Sequence, residues 1–147
     1  MTMWAKALAI LFASGTVALA DTYGQRVLAA VLLSEARGEG EKGMTAVAEV
    51  IRNRADLLGV TPLAVVTKRG EFACLRRRTP DQLIERFEKN KAWPVALKIA
   101  RVTYNEPEKL PGIVKGAKYY HSGNPSWAKA EKPIVIVGRL KFYDLPL

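Results

Sequence analysis

The chain has a single cysteine, Cys74, and a single histidine, His121. One thiol excludes an internal disulfide and any thiolate cluster around a metal. One imidazole excludes a zinc site of the HExxH kind. There is no GxxxxGK[ST] loop to cradle phosphates and no GxGxxG turn after a strand, so nucleotide-dependent chemistry has no footing. No metal and no cofactor is therefore expected. Internal repeats, low-complexity tracts and Gly/Ser- or Pro-rich linkers are also missing, which leaves one domain stabilised by packing alone. A Cys74–His121 dyad is open on composition, but EFACLRRR carries no nucleophile signature, and a lone cysteine reads as a small core residue.

What is present fits a globular protein. The 147 residues are 49% hydrophobic, enough for one sizeable core. The opening, MTMWAKALAILFASGTVALA, reads as a secretory signal over residues 1–20, with Lys6 ahead of an apolar run and Ala18-Leu19-Ala20 at the cleavage point. Cleavage before Asp21 leaves a catalytic domain over residues 21–147. The alternative is a retained anchor, but Ala7 to Ala20 gives 14 uncharged residues, short of the roughly 20 that span a bilayer. The expected location is periplasmic or secreted, with no membrane contact once the signal is removed. The formal charge of +9 favours an anionic partner, and export favours cell-wall polymers over nucleic acid.

Periodicity gives a mostly helical α+β domain. Thr22 to Ala36 reads as a helix with Val27, Leu28, Val31 and Leu32 on one stripe, and Gly38, Gly40 and Gly43 interrupt it. A second helix is expected from about Met44 to Leu57. Thr61-Pro62, Thr79-Pro80 and Trp93-Pro94 each open a further helix. Ile134 to Val137 and Leu140 to Tyr143, joined by Gly138-Arg139, read as a hairpin, with Lys118 to His121 as a third short strand.

The candidate for chemistry is Glu35 in SEARGEGEKG. It ends the first helix, and Leu32 and Val31, three and four residues back, put it on the apolar face. A carboxylate there is costly unless partnered or protonated, and burial beside apolar groups raises its pKa, as a general acid requires. A solvated charge at a helix end is the plainer alternative. Glu39 and Glu41 follow the break and are expected to be exposed, so no second carboxylate is evident.

The stretch VLAAVLLSEARGEGEKGMTAVAEVIRNR, Val27 to Arg54, resembles the opening motif of the spore cortex-lytic and cell wall hydrolase family, an EARGE helix end followed by an AVAxVIxNR helix. TPLAVVTKRGEF resembles the family's short helix and glycine-phenylalanine turn. Tyr119-Tyr120-His121-Ser122 with Pro125-Ser126-Trp127 resembles its aromatic segment, and Ile136-Val137-Gly138 with Phe142-Tyr143 its closing hairpin. LRRRTPDQLIERFEKNK departs from the pattern in its basic charge. The resemblance implies a lysozyme-like domain that cleaves peptidoglycan between N-acetylmuramic acid and N-acetylglucosamine, with Glu35 as the catalytic residue. It implies a lytic transglycosylase, which ends in a 1,6-anhydro sugar and needs one carboxyl. Tyr119, Tyr120 and Trp127 are then candidate sugar-stacking surfaces and His121 an orienting group. Phe72 and Arg37 complete the expected substrate-binding set, Arg37 and Arg54 either anchoring the Gly-rich loop or meeting peptide carboxylates. Asn53 has a structural alternative, tying the second helix to that loop. A hydrolytic muramidase and a non-catalytic peptidoglycan-binding protein of the same fold are the competing readings. The protein is expected to act as a monomer.

Overall fold

The computed structural model describes residues 21–123, 125–128 and 130–147. The expected signal over residues 1–20 lies outside the described residues. Six helices come first: α1 (Tyr23–Ala36), α2 (Gly40–Leu58), α3 (Pro62–Thr67), α4 (Cys74–Arg77), α5 (Pro80–Phe87) and α6 (Trp93–Asn105). Three strands follow, β1 (Tyr119–His121), β2 (Val135–Val137) and β3 (Leu140–Tyr143), with short 3-10 turns between elements. The architecture is mostly helical α+β, as the periodicity implied. Among the described residues no helix is long and apolar enough to cross a membrane.

Helix α1 is the hub. Residues 27–33 are wholly buried, because α2, α3, α5 and α6 all pack around it. A helix apolar on every side belongs inside the domain rather than on its surface. Thr22 caps its start and Gln25 returns the bond, a reciprocal pair that satisfies two otherwise free N–H groups. Thr79 and Gln82 cap α5 in the same way, and Thr61 caps α3.

The glycine cluster acts differently from the expectation. Arg37–Glu39 forms a single 3-10 turn, and α2 starts at Gly40, four residues before Met44. Gly40 takes φ +70°, the left-handed conformation that lets the chain change direction between the helices. Gly43 sits inside α2, where a side chain would collide with the Cβ of Glu39. Its role is close approach, not helix breaking. Helix α4 was not anticipated at all, since CLRR shows no period.

The strands form one antiparallel sheet in the order β1-β3-β2. Tyr120 pairs with Phe142 and Val135 with Phe142, so these three share the face turned to the core. Tyr119 and His121 pair with Tyr143 and Lys141 on the opposite face. The β2–β3 turn is Gly138-Arg139, with Gly138 at φ +59°.

That turn is docked on the α1–α2 junction. Glu39 accepts a hydrogen bond from Arg139 Nε at 3.1 Å, and its side chain is 8% exposed, which corrects the expectation of a solvated Glu39. A Cβ on Gly138 would lie 2.5 Å from Glu39 Cγ. Gly138→Ala is thus expected to cost about 1–3 kcal/mol in urea unfolding. In a Glu39→Ala background the same change should cost less, because only the positive φ remains unfavourable. Equal costs in both backgrounds would show that the turn does not depend on Glu39.

Candidate active site

Glu35 occupies the last turn of α1, where the helix meets the 3-10 turn. It is partly buried, and the removal of its carboxylate from water raises its pKa above the usual range. Two groups oppose that rise. The Tyr120 hydroxyl donates to Glu35 Oε1 at 2.9 Å, and the Arg76 guanidinium acts through its charge. Arg76 is itself held in place, with Nε and an Nη both donating to the Gly70 carbonyl at 3.2 and 2.9 Å.

Tyr120 reaches Glu35 because β1 is clamped to α2. Three residues of α2 do this. Buried Glu49 accepts from the Gly112 and Val114 N–H groups, each at 2.9 Å. Asn53 Nδ2 donates to the Lys115 and Ala117 carbonyls, both at 2.9 Å. Arg54 Nε donates to the Lys118 carbonyl at 2.6 Å. The segment 112–118 is fixed at five points and runs directly into β1. Asn53 does tie α2 to a loop, but to this one and not to the Gly-rich turn, and Arg54 likewise turns away from the glycines.

Among the candidate substrate-binding residues, Tyr120 hydrogen-bonds Glu35. Tyr119, His121, Trp127 and Tyr143 form an aromatic group on the outer face of the sheet. His121 stacks on Tyr143 at 5.0 Å and meets the edge of Trp127 at 5.1 Å, and Tyr119 lies 5.8 Å from Trp127. His121 Nε2 is 3.0 Å from the Tyr143 hydroxyl, and burial with the nearby Lys141 charge lowers its pKa. Phe72 is only 4% exposed and belongs to the core, so its ring is packed away from any substrate. Arg37 is exposed at the end of α1, with its guanidinium 5.4 Å from the centre of the Phe87 ring.

Cys74 lies near Glu35, and its thiol is pushed up to about 11 by burial and by the charge of Glu35. A thiol so reluctant to ionise is no nucleophile. His121, on the far side of the sheet and bonded to Tyr143, does not complete a dyad with it. The arrangement can donate a proton from a half-buried carboxyl and hold that carboxyl at one fixed angle.

Comparison with known proteins adds the family. Residues 38–143 match the family model described as Cell Wall Hydrolase, which spans α2 to the last strand. The chain belongs to the cell wall hydrolase family. Members act on peptidoglycan, and the chain is accordingly an enzyme of cell-wall cleavage. The match begins at Gly38, so α1 and Glu35 precede it and the match assigns Glu35 no role. Neither a curated protein nor a solved structure matches the chain.

Two measurements check the carboxyl. A raised folded-state pKa means that the folded protein holds this proton more tightly than the unfolded chain, whose ordinary value is 4.5. Stability from this group is complete below that value and lost as pH rises through the folded pKa. Glu35→Gln removes the loss, so its melting temperature should gain on the wild type from pH 4 to pH 7. A constant difference would mean that Glu35 is not buried in this way. Tyr120→Phe deletes the donor and should move the Glu35 titration, followed by carboxyl NMR shifts, to higher pH. An unmoved titration would break the Tyr120–Glu35 link.

Proposed function

We propose that the protein is a lytic transglycosylase with a lysozyme-like catalytic arrangement, and that Glu35 is its one catalytic acid and base. The observation that carries this reading is a half-buried carboxyl whose pKa is raised by burial and which accepts a hydrogen bond from the Tyr120 hydroxyl. Glycosidases that add water need two carboxyl groups, about 5–9.5 Å apart, on the two sides of the scissile bond. Glu39 follows closest in sequence, but its carboxylate is committed to Arg139 beside Gly138.

A transglycosylase needs one. Protonated Glu35 gives its proton to the oxygen that joins C1 of N-acetylmuramic acid to the next N-acetylglucosamine, and the C1–O bond breaks. The C6 hydroxyl of the same muramic acid residue then bonds to C1, and its proton passes to the Glu35 carboxylate. The products are a 1,6-anhydro end and a free 4-hydroxyl, with no water consumed. The raised pKa suits the first step, and the Tyr120 hydrogen bond supports the carboxylate required for the second.

Tyr119, His121 and Trp127 offer aromatic surface for sugar rings on the outer sheet face, where Trp127 is 44% exposed. Export to the periplasm or beyond accords with the character of residues 1–20. N-terminal sequencing of the exported protein is expected to begin at Asp21, and a start at Met1 would make the segment an anchor.

The deciding experiment is mass spectrometry of peptidoglycan digested by the wild type and by Glu35→Gln. Anhydromuramyl products are expected from the wild type, with release slowed about 10²–10⁴-fold in the variant, the usual worth of a general acid. Reducing-end muramic acid would make the enzyme a hydrolase. Equal activity in both proteins would remove Glu35 from the chemistry.

A further inference from the structure

The sheet turns one face to the helices and one outward, and the outward face is covered unequally. Strand register sets Tyr119 and His121 of β1 opposite Tyr143 and Lys141 of β3, and Ile136 of β2 opposite Lys141 from the other side. Ile134 donates its N–H to the Phe142 carbonyl at 2.8 Å and continues the same alternation. Trp127 lies over the β1 side, 5.3 Å from the Tyr143 ring and 5.1 Å from His121, and Tyr143 is only 3% exposed. Among the described residues nothing comparable covers the β2 side. Ile136 is 56% exposed and Ile134 44%, and β2 is an edge strand.

Two aliphatic side chains on an open sheet edge gain from leaving water, and the charges around them select what takes its place. Exposed Lys132 stands two residues before Ile134. Arg139 follows β2 at the turn, with its side chain 80% exposed and its Nε on Glu39. Lys141 lies beside Ile136. The acids nearby are exposed Glu131, Glu39, which is nearly covered and paired with Arg139, and Asp144, which is paired with Lys118. The cations therefore dominate. A sugar ring would find no flat ring, amide or carboxyl on the β2 side to read its hydroxyls. A second copy paired antiparallel across the centre of β2 would bring Lys132 of one strand toward Arg139 of the other, and like charges repel there.

We propose that the β2 face docks on an anionic phospholipid surface, with Ile134 and Ile136 among the upper acyl chains and Lys132 and Arg139 at the headgroup phosphates. Trp127 then sits at the boundary, where an amphipathic ring is favoured. The formal charge of +9 draws the domain to such a surface in the same sense. The contact holds the domain on a membrane without spanning it and does not depend on the role of Glu35. It departs from the expectation that membrane contact ends once residues 1–20 are removed.

The test is sedimentation of the protein with vesicles of phosphatidylcholine, alone or mixed with phosphatidylglycerol. Binding is expected to the mixed vesicles, weaker with added salt, and much weaker to phosphatidylcholine alone. Ile136→Glu and Lys132→Glu should each lower the partition coefficient about tenfold, the equivalent of ~1.4 kcal/mol. Both replace exposed side chains, so the melting temperature and the cleavage of soluble glycan should stay unchanged. No binding, equal binding to the two vesicle types, or binding that both variants retain would overturn the proposal. The last outcome would assign the attachment to residues 1–20 or to another surface.

A second readout locates the contact. A spin label on the lipid headgroup should broaden the methyl resonances of Ile134 and Ile136 and spare those of buried Ile51 and Ile84. Broadening confined to other residues would overturn the assignment of this face. Self-association in the absence of lipid that Ile136→Glu abolishes would give the face to a second copy of the chain and overturn it equally.

Discussion

Glu49 is 4% exposed, and the groups that bond its carboxylate are two backbone amides of a loop more than sixty residues away. Hydrogen bonds to a charged acceptor are worth about 1.5–3 kcal/mol each, and a buried carboxylate without them would be severely destabilising. The loop and the helix therefore stand or fall together. Asn53 and Arg54, one turn further along α2, add three bonds to the next carbonyls of the same loop. A segment with little regular structure is in this way held as firmly as a strand in a sheet. Everything that the site requires of β1 follows from where this segment delivers it.

The delivery is sensitive because side chains alternate across a strand. With Tyr119 paired to Tyr143 and Tyr120 to Phe142, Tyr120 points to the core and to Glu35. A slip of one residue would turn Tyr119 or His121 inward and leave Glu35 without its donor. The five bonds from α2 and the Glu39–Arg139 contact at the β2–β3 turn fix the sheet from opposite ends. Gly138 and Gly43 contribute by what they lack, since a methyl group at either would push Glu39 out of its place.

The helical frame was legible because its signals are local. Thr-Pro pairs at residues 61–62 and 79–80 announced α3 and α5, and the β-rich runs on either side of Gly138-Arg139 announced the hairpin. The start of α2 was misplaced because glycine content was read as helix breaking, when one glycine reverses the chain and another makes room for Glu39. The partial burial of Glu35 was legible from its position on an apolar stripe. The same argument applied to Glu49, which sits in AVAEVI among Ala46, Val47, Val50 and Ile51, and would have marked it as a buried carboxylate needing partners. Those partners were beyond reach, since they are backbone groups brought in by tertiary structure. The separation of Tyr120 from Tyr119 and His121 depended on strand register, which a three-residue strand does not declare. Arg76 lay in the basic stretch set aside as a departure from the family pattern.

In the transglycosylase mechanism we propose, the environment of Glu35 would balance two opposed demands. A carboxyl that must give up a proton to a glycosidic oxygen benefits from burial, which disfavours the anion. The same group must next exist as an anion while it waits for the proton of an incoming hydroxyl. Burial alone would serve only the first step, and a close cation would serve only the second. A neutral hydroxyl within 3 Å stabilises the anion less than a contact ion pair does, and Arg76, bound to the Gly70 carbonyl, contributes charge without forming a salt bridge to Glu35. Burial raises the pKa of the carboxyl and the Tyr120 bond opposes that rise, and Tyr120 is supplied by a strand whose position α2 determines.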